Sequence, residues 1–344
     1  MSALSGSGSV DTLPESMFVP KRKRSRLLYT LLDNFVWVLV IALLVVAYLT
    51  TPSFFKSSNL VNILNQSSVL ALLALAETIC LISGYFDLSI ESILIFVAVF
   101  TAWLITPHPA ASGLQLDPIV GIIIILLAGA VIGAMNGFLI AYLKMNAFIE
   151  TLALSIILIG LTLTISHGNT LGPFPDTFSF LGEGSIGLIP APILVIFVVY
   201  LLFYFILKYT PLARKIYAVG GNRLAAQASG IDVKRIVFTA YLLSGLISAL
   251  GGLILSGRMG AAVSHMTRDN LLYAFAAAVI GGVNPFGGQG RIFSVLGGVI
   301  LLTIINKLLV IAHVDPFLIA GASGLIILVA MLILTIKKRL VVED

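Results

Sequence analysis

Charged residues are scarce in this 344-residue sequence, because only 10% of its positions are Asp, Glu, Lys or Arg. Ordinary soluble domains carry roughly 25%. The sequence is 59% hydrophobic, and its mean hydropathy is +1.11. A soluble globule of this length could not bury so much apolar surface beneath a polar exterior. The composition therefore excludes an ordinary soluble protein and indicates that lipid is the solvent for most of the chain.

Several residue patterns that carry chemistry are also missing. Cys80 is the single cysteine, so the chain cannot form an intrachain disulfide. The phosphate-binding pattern GxxxxGK[ST] does not occur, and the glycine-rich stretch 281–291 lacks the Lys and hydroxyl that would meet phosphate and magnesium. No Ser/His/Asp grouping or paired-carboxylate arrangement suggests hydrolytic chemistry, and no two histidines have metal-ligand spacing. We therefore expect no catalytic site, no metal, no bound cofactor and no nucleic-acid partner on this chain.

Ten apolar runs remain, each of them a candidate membrane-spanning helix, since a bilayer core needs about 20 residues per helix. They cover approximately 33–51, 60–82, 88–105, 118–143, 147–166, 190–207, 236–256, 271–283, 292–311 and 316–336. The third run is weakened by Asp87 and Glu91 near its start, and the eighth has only 13 residues. The sequence predicts an all-α, polytopic integral membrane protein of about ten transmembrane helices.

The distribution of Lys and Arg predicts the orientation, because these residues concentrate in cytoplasmic loops. With a cytoplasmic N-terminus and ten spans, 16 of the 20 basic residues fall on the inner side. Both termini are then cytoplasmic. Residues 1–32 are expected to form a disordered basic tail, 33–336 the transmembrane domain, and 337–344 a short tail.

Small residues recur at helical spacing in two of the spans. Gly129, Gly133 and Gly137 form one stripe, and Ser244, Ser248 and Gly252 form another, with Gly245 and Ala249 beside it. Small faces let helix backbones approach closely in lipid. We expect plain helix packing at both stripes.

Ionisable groups inside a membrane are costly unless they are sheltered. Glu77 falls deep in the second predicted span, Asp87 and Glu91 lie between the second and third, and Glu150 lies early in the fifth. Two interpretations stay open: such groups line a polar pathway, or they cap helices and bond inside the bundle. Asp87-Leu88-Ser89 is typical of a helix N-cap. The candidate pathway residues are Glu77, Asp87, Ser89, Glu91 and Asn136.

The 208–235 loop, which joins the sixth and seventh spans, is the longest on the inner side. Its pattern predicts two short helices: one begins at Pro211 and is broken by Gly220-Gly221, and the other runs from Arg223 to Ser229. Asn222 is placed to cap the second helix and Gly230 to end it. Such a helix is suited to docking into a partner's groove.

The motifs of this loop resemble the cytoplasmic coupling segment of ribose-type ABC sugar permeases. The matching positions are Gly220, Gly221, Asn222, Ala225, Ala226, Ser229, Gly230, Ile231, Lys234 and Arg235. Asp87-Leu88-Ser89 is similar to the family's GGIDLSVGS stretch. Asn136-Gly137 followed by 147–152 resembles its NG…PFIxTL pattern, and 281–290 resembles its glycine-rich turn. The resemblance runs from about residue 54 to 324. Tyr85, Phe86 and Glu91 depart from it, since smaller residues are usual there.

The resemblance implies a permease subunit of a bacterial importer in the inner membrane, for a monosaccharide or a similar polar molecule. It implies three partners besides the bilayer: a separate ATPase subunit that holds ATP and magnesium, a second permease chain, and an extracytoplasmic binding protein. Positions 220–222, 225, 226 and 229–231 would contact the ATPase. The substrate does not follow from it.

Two other hypotheses stay open. An ion-coupled secondary transporter would use Glu77, Asp87 and Glu91 as a proton relay, although it leaves the structured 208–235 loop unexplained. An ABC permease for amino acids or nucleosides would keep the same architecture with a different substrate.

Overall fold

The apolar runs of the sequence fold into α-helices, which a computed structural model describes over residues 34–187, 189–264 and 270–315 and at isolated positions between 318 and 332. Helices are the expected solution, because lipid offers no hydrogen bonds and each backbone group must be satisfied within its own segment. The helices are α1 (Phe35–Thr50), α2 (Ser57–Ile82), α3 (Ile90–Ile105), α4 (Pro118–Ala141), α5 (Ala147–Ser166), α6 (Asp176–Glu183), α7 (Ala191–Tyr209), α8 (Pro211–Gly221), α9 (Arg223–Ala228), α10 (Val233–Met259), α11 (Asn270–Ile280) and α12 (Ile292–Ile311).

Short elements join some of these helices. A 3₁₀ turn, Pro52–Phe55, lies between α1 and α2. A two-stranded hairpin, β1 (Ser185–Ile186) and β2 (Ile189–Pro190), precedes α7, with Ser185 opposite Pro190.

Six of the described helices are long and apolar enough to cross a membrane, namely α2, α4, α5, α7, α10 and α12. Three more, α1, α3 and α11, are apolar but shorter. Nine predicted spans coincide with these nine helices, and the predicted and observed ends differ by at most three residues. The second predicted span, for example, begins at residue 60, whereas α2 begins at Ser57. The tenth, 316–336, and the two predicted tails lie outside the continuously described residues.

Helix α11 is described from Asn270, directly after residues 265–269, which lie outside the described ranges. Its 11 residues give a length of about 16 Å, roughly half of a 30 Å hydrocarbon core. The described helix of the eighth predicted span is therefore shorter than a full membrane span.

Helices α2 and α10 form the centre of the bundle. Helix α10 packs against α2, α3, α4 and α6, and α2 also packs against α11 and α12. Around them, α4, α5 and α7 expose large apolar side chains, such as Val131, Ile156 and Phe197. An apolar exterior of this kind fits a lipid environment.

The glycine stripe of α4 packs directly on α10. A Cβ atom at Gly133 would lie 2.3 Å from the backbone oxygen of Tyr241, and one at Gly129 would lie 2.3 Å from the Cβ of Ala249. The expectation of close packing is confirmed at this stripe. The second stripe, on α10, packs partly against a different helix, because Gly252 lies against the Leu94 carbonyl of α3.

The 208–235 loop defines one end of the bundle, called here the loop end. It contains α8 and α9, as the sequence predicts, and Asn222 Oδ1 accepts the Ala225 N–H at 2.9 Å to cap α9. The turn between α11 and α12 lies at the same end, because Gly288 contacts Gly221. The first turns of α2 and the last turns of α10 and α12 form the opposite end.

Candidate functional site

A buried polar hub lies where the 83–89 loop enters the bundle. The Asp87 carboxylate is fully buried, and its Oδ1 accepts the Ser89 N–H at 3.0 Å and the Ser89 hydroxyl at 2.5 Å. Its Oδ2 accepts the Ser244 hydroxyl of α10 at 2.8 Å. The Asn136 side-chain amide of α4 then donates to Ser89 Oγ at 2.8 Å. Three predicted pathway residues, Asp87, Ser89 and Asn136, therefore form one hydrogen-bonded network.

The backbone of the same loop is bonded to the surrounding helices. The Tyr241 hydroxyl of α10 donates to the Phe86 carbonyl at 2.6 Å, and the Leu88 N–H donates to Thr151 Oγ1 of α5 at 3.2 Å. The backbone of Asp87 hydrogen-bonds the Glu77 carboxyl of α2. The 83–89 loop is thus held by α2, α5 and α10 together.

The hub contains more acidic groups than its hydrogen bonds satisfy. Glu77 and Glu150 are buried, and each has one carboxyl oxygen without a hydrogen-bond partner among the described residues. Asn136 Oδ1 is in the same condition. Both glutamates lie near enough to Asp87 for their charges to interact. Because buried carboxyl groups without a cationic partner are expensive, this cluster is costly to keep.

Asp87 does not cap α3 in the way its sequence pattern suggested. Ser89 occupies the N-cap position of α3, and no side chain caps that helix. The Asp87 carboxylate turns instead to Ser89 and across to Ser244. Sequence spacing identified a bonded carboxylate but could not show that its second oxygen crosses to another helix.

Glu91, the remaining pathway candidate, holds the start of the short helix α11. Its Oε1 accepts the Asn270 N–H at 3.1 Å and its Oε2 accepts the Leu271 N–H at 3.3 Å. A carboxylate at a helix N-terminus satisfies free N–H groups and complements the helix dipole. Glu91 is therefore separate from the Asp87 network and fixes the N-terminus of α11 inside the bundle.

Three backbone segments meet at the loop end in a glycine junction, formed by Gly84, Gly220, Gly221, Gly287 and Gly288. A Cβ atom at Gly220 would lie 1.8 Å from the Ile82 oxygen, and one at Gly287 would lie 2.5 Å from the Gly220 oxygen. The Gly288 N–H also donates to the Ile82 carbonyl at 2.9 Å. These distances exclude any side chain at Gly220, so the end of α8 rests directly on the end of α2.

Two tyrosines strengthen the junction. The Arg223 guanidinium of α9 donates to the Tyr85 hydroxyl at 2.7 Å, and the Tyr217 hydroxyl of α8 donates to the Gly290 carbonyl at 2.8 Å. Burial raises the pKa of both tyrosines, while the charges of Arg223 and Arg291 oppose that rise. The 208–235 loop is therefore tied both to the 83–89 loop, which carries the hub, and to the glycine-rich turn.

The predicted coupling residues divide by exposure. Ala226 is buried in the chain's own apolar core, so it cannot contact a partner directly. Gly221, Asn222, Ala225, Ser229 and Gly230 are exposed. Leu224, which sequence reasoning missed, is 79% exposed, and Phe286 in the adjoining turn is 82% exposed. The loop end therefore presents two large apolar side chains that the chain's own core does not cover.

A polar cleft opens between α2, α10, α11 and α12 toward the opposite end. It consists of two adjoining cavities of about 310 and 400 Å³, which share Gln66 and Arg258. Carboxamide side chains dominate its polar lining, namely Asn62, Asn65, Gln66, Asn270 and Asn306. The sequence carried a signal for it, because Asn62, Asn65 and Gln66 repeat at helical spacing within an apolar run.

Comparison with known proteins identifies the family of this chain. Residues 59–336 match the family described as branched-chain amino acid transport system / permease component. The chain belongs to this permease family. It is 33% identical over 306 residues to the ribose import permease protein RbsC of Haemophilus influenzae, covering 88% of this chain and 93% of that protein. It is 36% identical over 293 residues to RbsC of Bacillus subtilis, covering 85% and 89%.

A third relative is named for the transport of a different sugar, D-allose. The D-allose transport system permease protein AlsC of Escherichia coli K12 is 34% identical over 305 residues, covering 88% of this chain and 91% of that protein. No solved structure is significantly similar to the chain. Family membership makes the chain a transport permease component, and such components are not enzymes themselves.

Proposed function

We propose that the chain is the membrane-spanning subunit of an ATP-driven bacterial sugar importer in the inner membrane. In this proposal it has ten spans with both termini in the cytoplasm, so that the loop end faces the cytoplasm and the cleft faces outward. A separate ATPase binds the loop end, a substrate-binding protein docks on the opposite end, and two permease chains enclose the pathway.

The observation that carries this proposal is the direct contact between the 208–235 loop and the 83–89 loop, which carries the hub. The Gly220 backbone rests on the end of α2, and Arg223 bonds Tyr85 two residues before Asp87. A displacement of α9 by a partner would therefore act on the 83–89 loop without an intervening flexible segment. An ATPase that moves α9 would shift the hub and the helices bonded to it, which is the kind of two-state packing change that transporters use.

The sugar assignment is supported by the relatives and by the cleft. Relatives with 33–36% identity are import or transport permeases for ribose and allose by name. Carboxamides suit hydroxyl-rich molecules, because each offers both donors and acceptors. The family description names branched-chain amino acids, which makes an amino acid the second candidate substrate.

The proposal is tested by purifying the permease with its ATPase subunit and measuring ATP hydrolysis. We expect a stable complex whose hydrolysis rises when the binding protein is added with its sugar. The amino-acid alternative predicts the same rise with a branched-chain amino acid and its own binding protein. A permease that forms no complex with any ATPase of its cell would overturn the proposal.

A further inference from the structure

The cleft places polar side chains on the surface of helices that otherwise face lipid or pack in the core. Asn62 and Gln66 are exposed on α2, and Asn306 is half-buried on α12. Several unpaired carboxamides facing hydrocarbon would be costly, since lipid cannot hydrogen-bond them. The cleft must therefore be filled by water, by a polar ligand or by another protein surface.

The charges that line the cleft limit which molecules can occupy it. Two cations line it: Arg258, whose guanidinium donates to the Asn65 carbonyl at 2.7 Å, and Lys307. No Asp or Glu among the described residues lines either cavity, so no described carboxylate neutralises these two cations there. The nearby Glu91 is already engaged by two α11 N–H groups.

One residue of the lining keeps free hydrogen-bonding capacity. Asn65 Oδ1 has no hydrogen-bond partner among the described residues, although Arg258 and Ser68 donate to the carbonyl of the same residue. Thr303 and Tyr273 add hydroxyl groups to the lining. Volumes of about 310 and 400 Å³ lie within the usual range for small-ligand sites, roughly 300–1,000 Å³.

We propose that the cleft is a water-filled binding site for a neutral polyhydroxylated molecule and that Arg258 and Lys307 exclude cationic ligands from it. Hydroxyl groups both donate and accept, which matches carboxamides better than a purely donating or accepting ligand would. Two parts of this inference rest on the proposed function: that the ligand is the transported sugar, and that the cleft is the outward section of its pathway.

Thiol labelling tests the site without knowledge of the exact sugar. Asn306→Cys introduces a thiol in the cleft, Leu114→Cys an exposed reference thiol, and Ile156→Cys an apolar-face control. Native Cys80 is fully buried, so the parent protein should remain unlabelled. We expect water-soluble thiosulfonate reagents to label Asn306→Cys and Leu114→Cys but not Ile156→Cys.

The charge of the reagent tests exclusion of cations. The anionic reagent should react roughly tenfold faster than the cationic one at Asn306→Cys, with both rates normalised to Leu114→Cys, because Arg258 and Lys307 attract the anion and repel the cation. Adding Lys307→Gln should reduce this ratio severalfold. An unlabelled Asn306→Cys, or a ratio near one, would overturn the proposal.

Ligand class is tested by protection in the purified permease. Millimolar neutral monosaccharides should slow labelling of Asn306→Cys, whereas the matching amino sugars should not, and adding Gln66→Leu should remove the protection. Equal protection by amino sugars would refute the cation exclusion, and no protection by any neutral sugar in a panel would refute the ligand class. If labelling and protection hold but the complex fails to hydrolyse ATP, the proposed function fails while the cleft assignment stands.

Discussion

Leu224 offers the sharpest test of where the ATPase binds. It projects from α9, which the Arg223–Tyr85 hydrogen bond and the buried Ala226 fix to the bundle, and 79% of its surface is exposed. Complete burial of a leucine contributes about 1.5–3 kcal/mol. Burial of the exposed 79% against a partner would then contribute about 1.2–2.4 kcal/mol, at most, to association.

Leu224→Ala should weaken the affinity of the permease for its ATPase roughly 7- to 50-fold at each contact, since 1.4 kcal/mol is a factor of ten. The assay is titration of the purified ATPase onto immobilised permease in detergent or nanodiscs. Thermal stability of the permease alone should not change, because Leu224 contributes little to its own core. Leu114→Ala is a matched control, since Leu114 is also exposed but lies between α3 and α4 at the opposite end.

Leu224→Asp should abolish binding, whereas Ala226→Asp should lower the thermal stability of the permease itself, because Ala226 is buried. Unchanged ATPase affinity in both Leu224 variants would refute the assignment of α9 as the docking element.

Four further outcomes follow from the packing. Gly220→Val should either prevent folding or uncouple ATP hydrolysis from uptake, because a Cβ would lie 1.8 Å from the Ile82 oxygen. Size-exclusion profiles detect misfolding, and hydrolysis and uptake assays detect uncoupling in the folded protein. Tyr85→Phe removes the acceptor for Arg223 and should lower uptake per ATP hydrolysed while leaving ATPase binding intact. Glu77→Gln keeps the shape of the buried side chain and should retain uptake, whereas loss of uptake in a folded Glu77→Gln protein would favour a proton relay. Gly133→Leu should lower the free energy of unfolding by about 3 kcal/mol, the upper part of the range for overpacking, and a denaturation series would detect it.

Much of the helical framework could be predicted from the sequence, because apolar length and backbone satisfaction leave few choices in lipid. The first nine predicted spans coincide with helices, and the cap of α9 was readable from Asn222. The shortness of the eighth span was readable as well, because its apolar run has 13 residues, and α11 ends at Ile280 before Gly281 and Gly282.

The site could be predicted only in part. Asp87, Ser89 and Asn136 stood out by type and position, and the structure brings them into one network. Glu91 stood out for the same reason but serves α11. Which residues meet depends on helix rotation, and single-sequence periodicity leaves that rotation undetermined where both helix faces are apolar.

The cleft was missed for a related reason. Its carboxamides come from three helices, α2, α11 and α12, and each helix contributes only one to three of them. Neutral amides are also a weaker signal than charged carboxylates in a hydrophobic run. Leu224 was missed because a leucine in a short helix looks like core until its neighbours are known.

The central claim, that ATP hydrolysis by a separate subunit drives this permease through its 208–235 loop, is tested most directly by sugar uptake into sealed proteoliposomes. The vesicles contain the permease and its ATPase, with the binding protein on the outer side and ATP trapped on the ATPase side. We expect uptake to continue when ionophores collapse all ion gradients and to stop when ATP is omitted. Uptake that requires a proton gradient and proceeds without ATP would contradict the account.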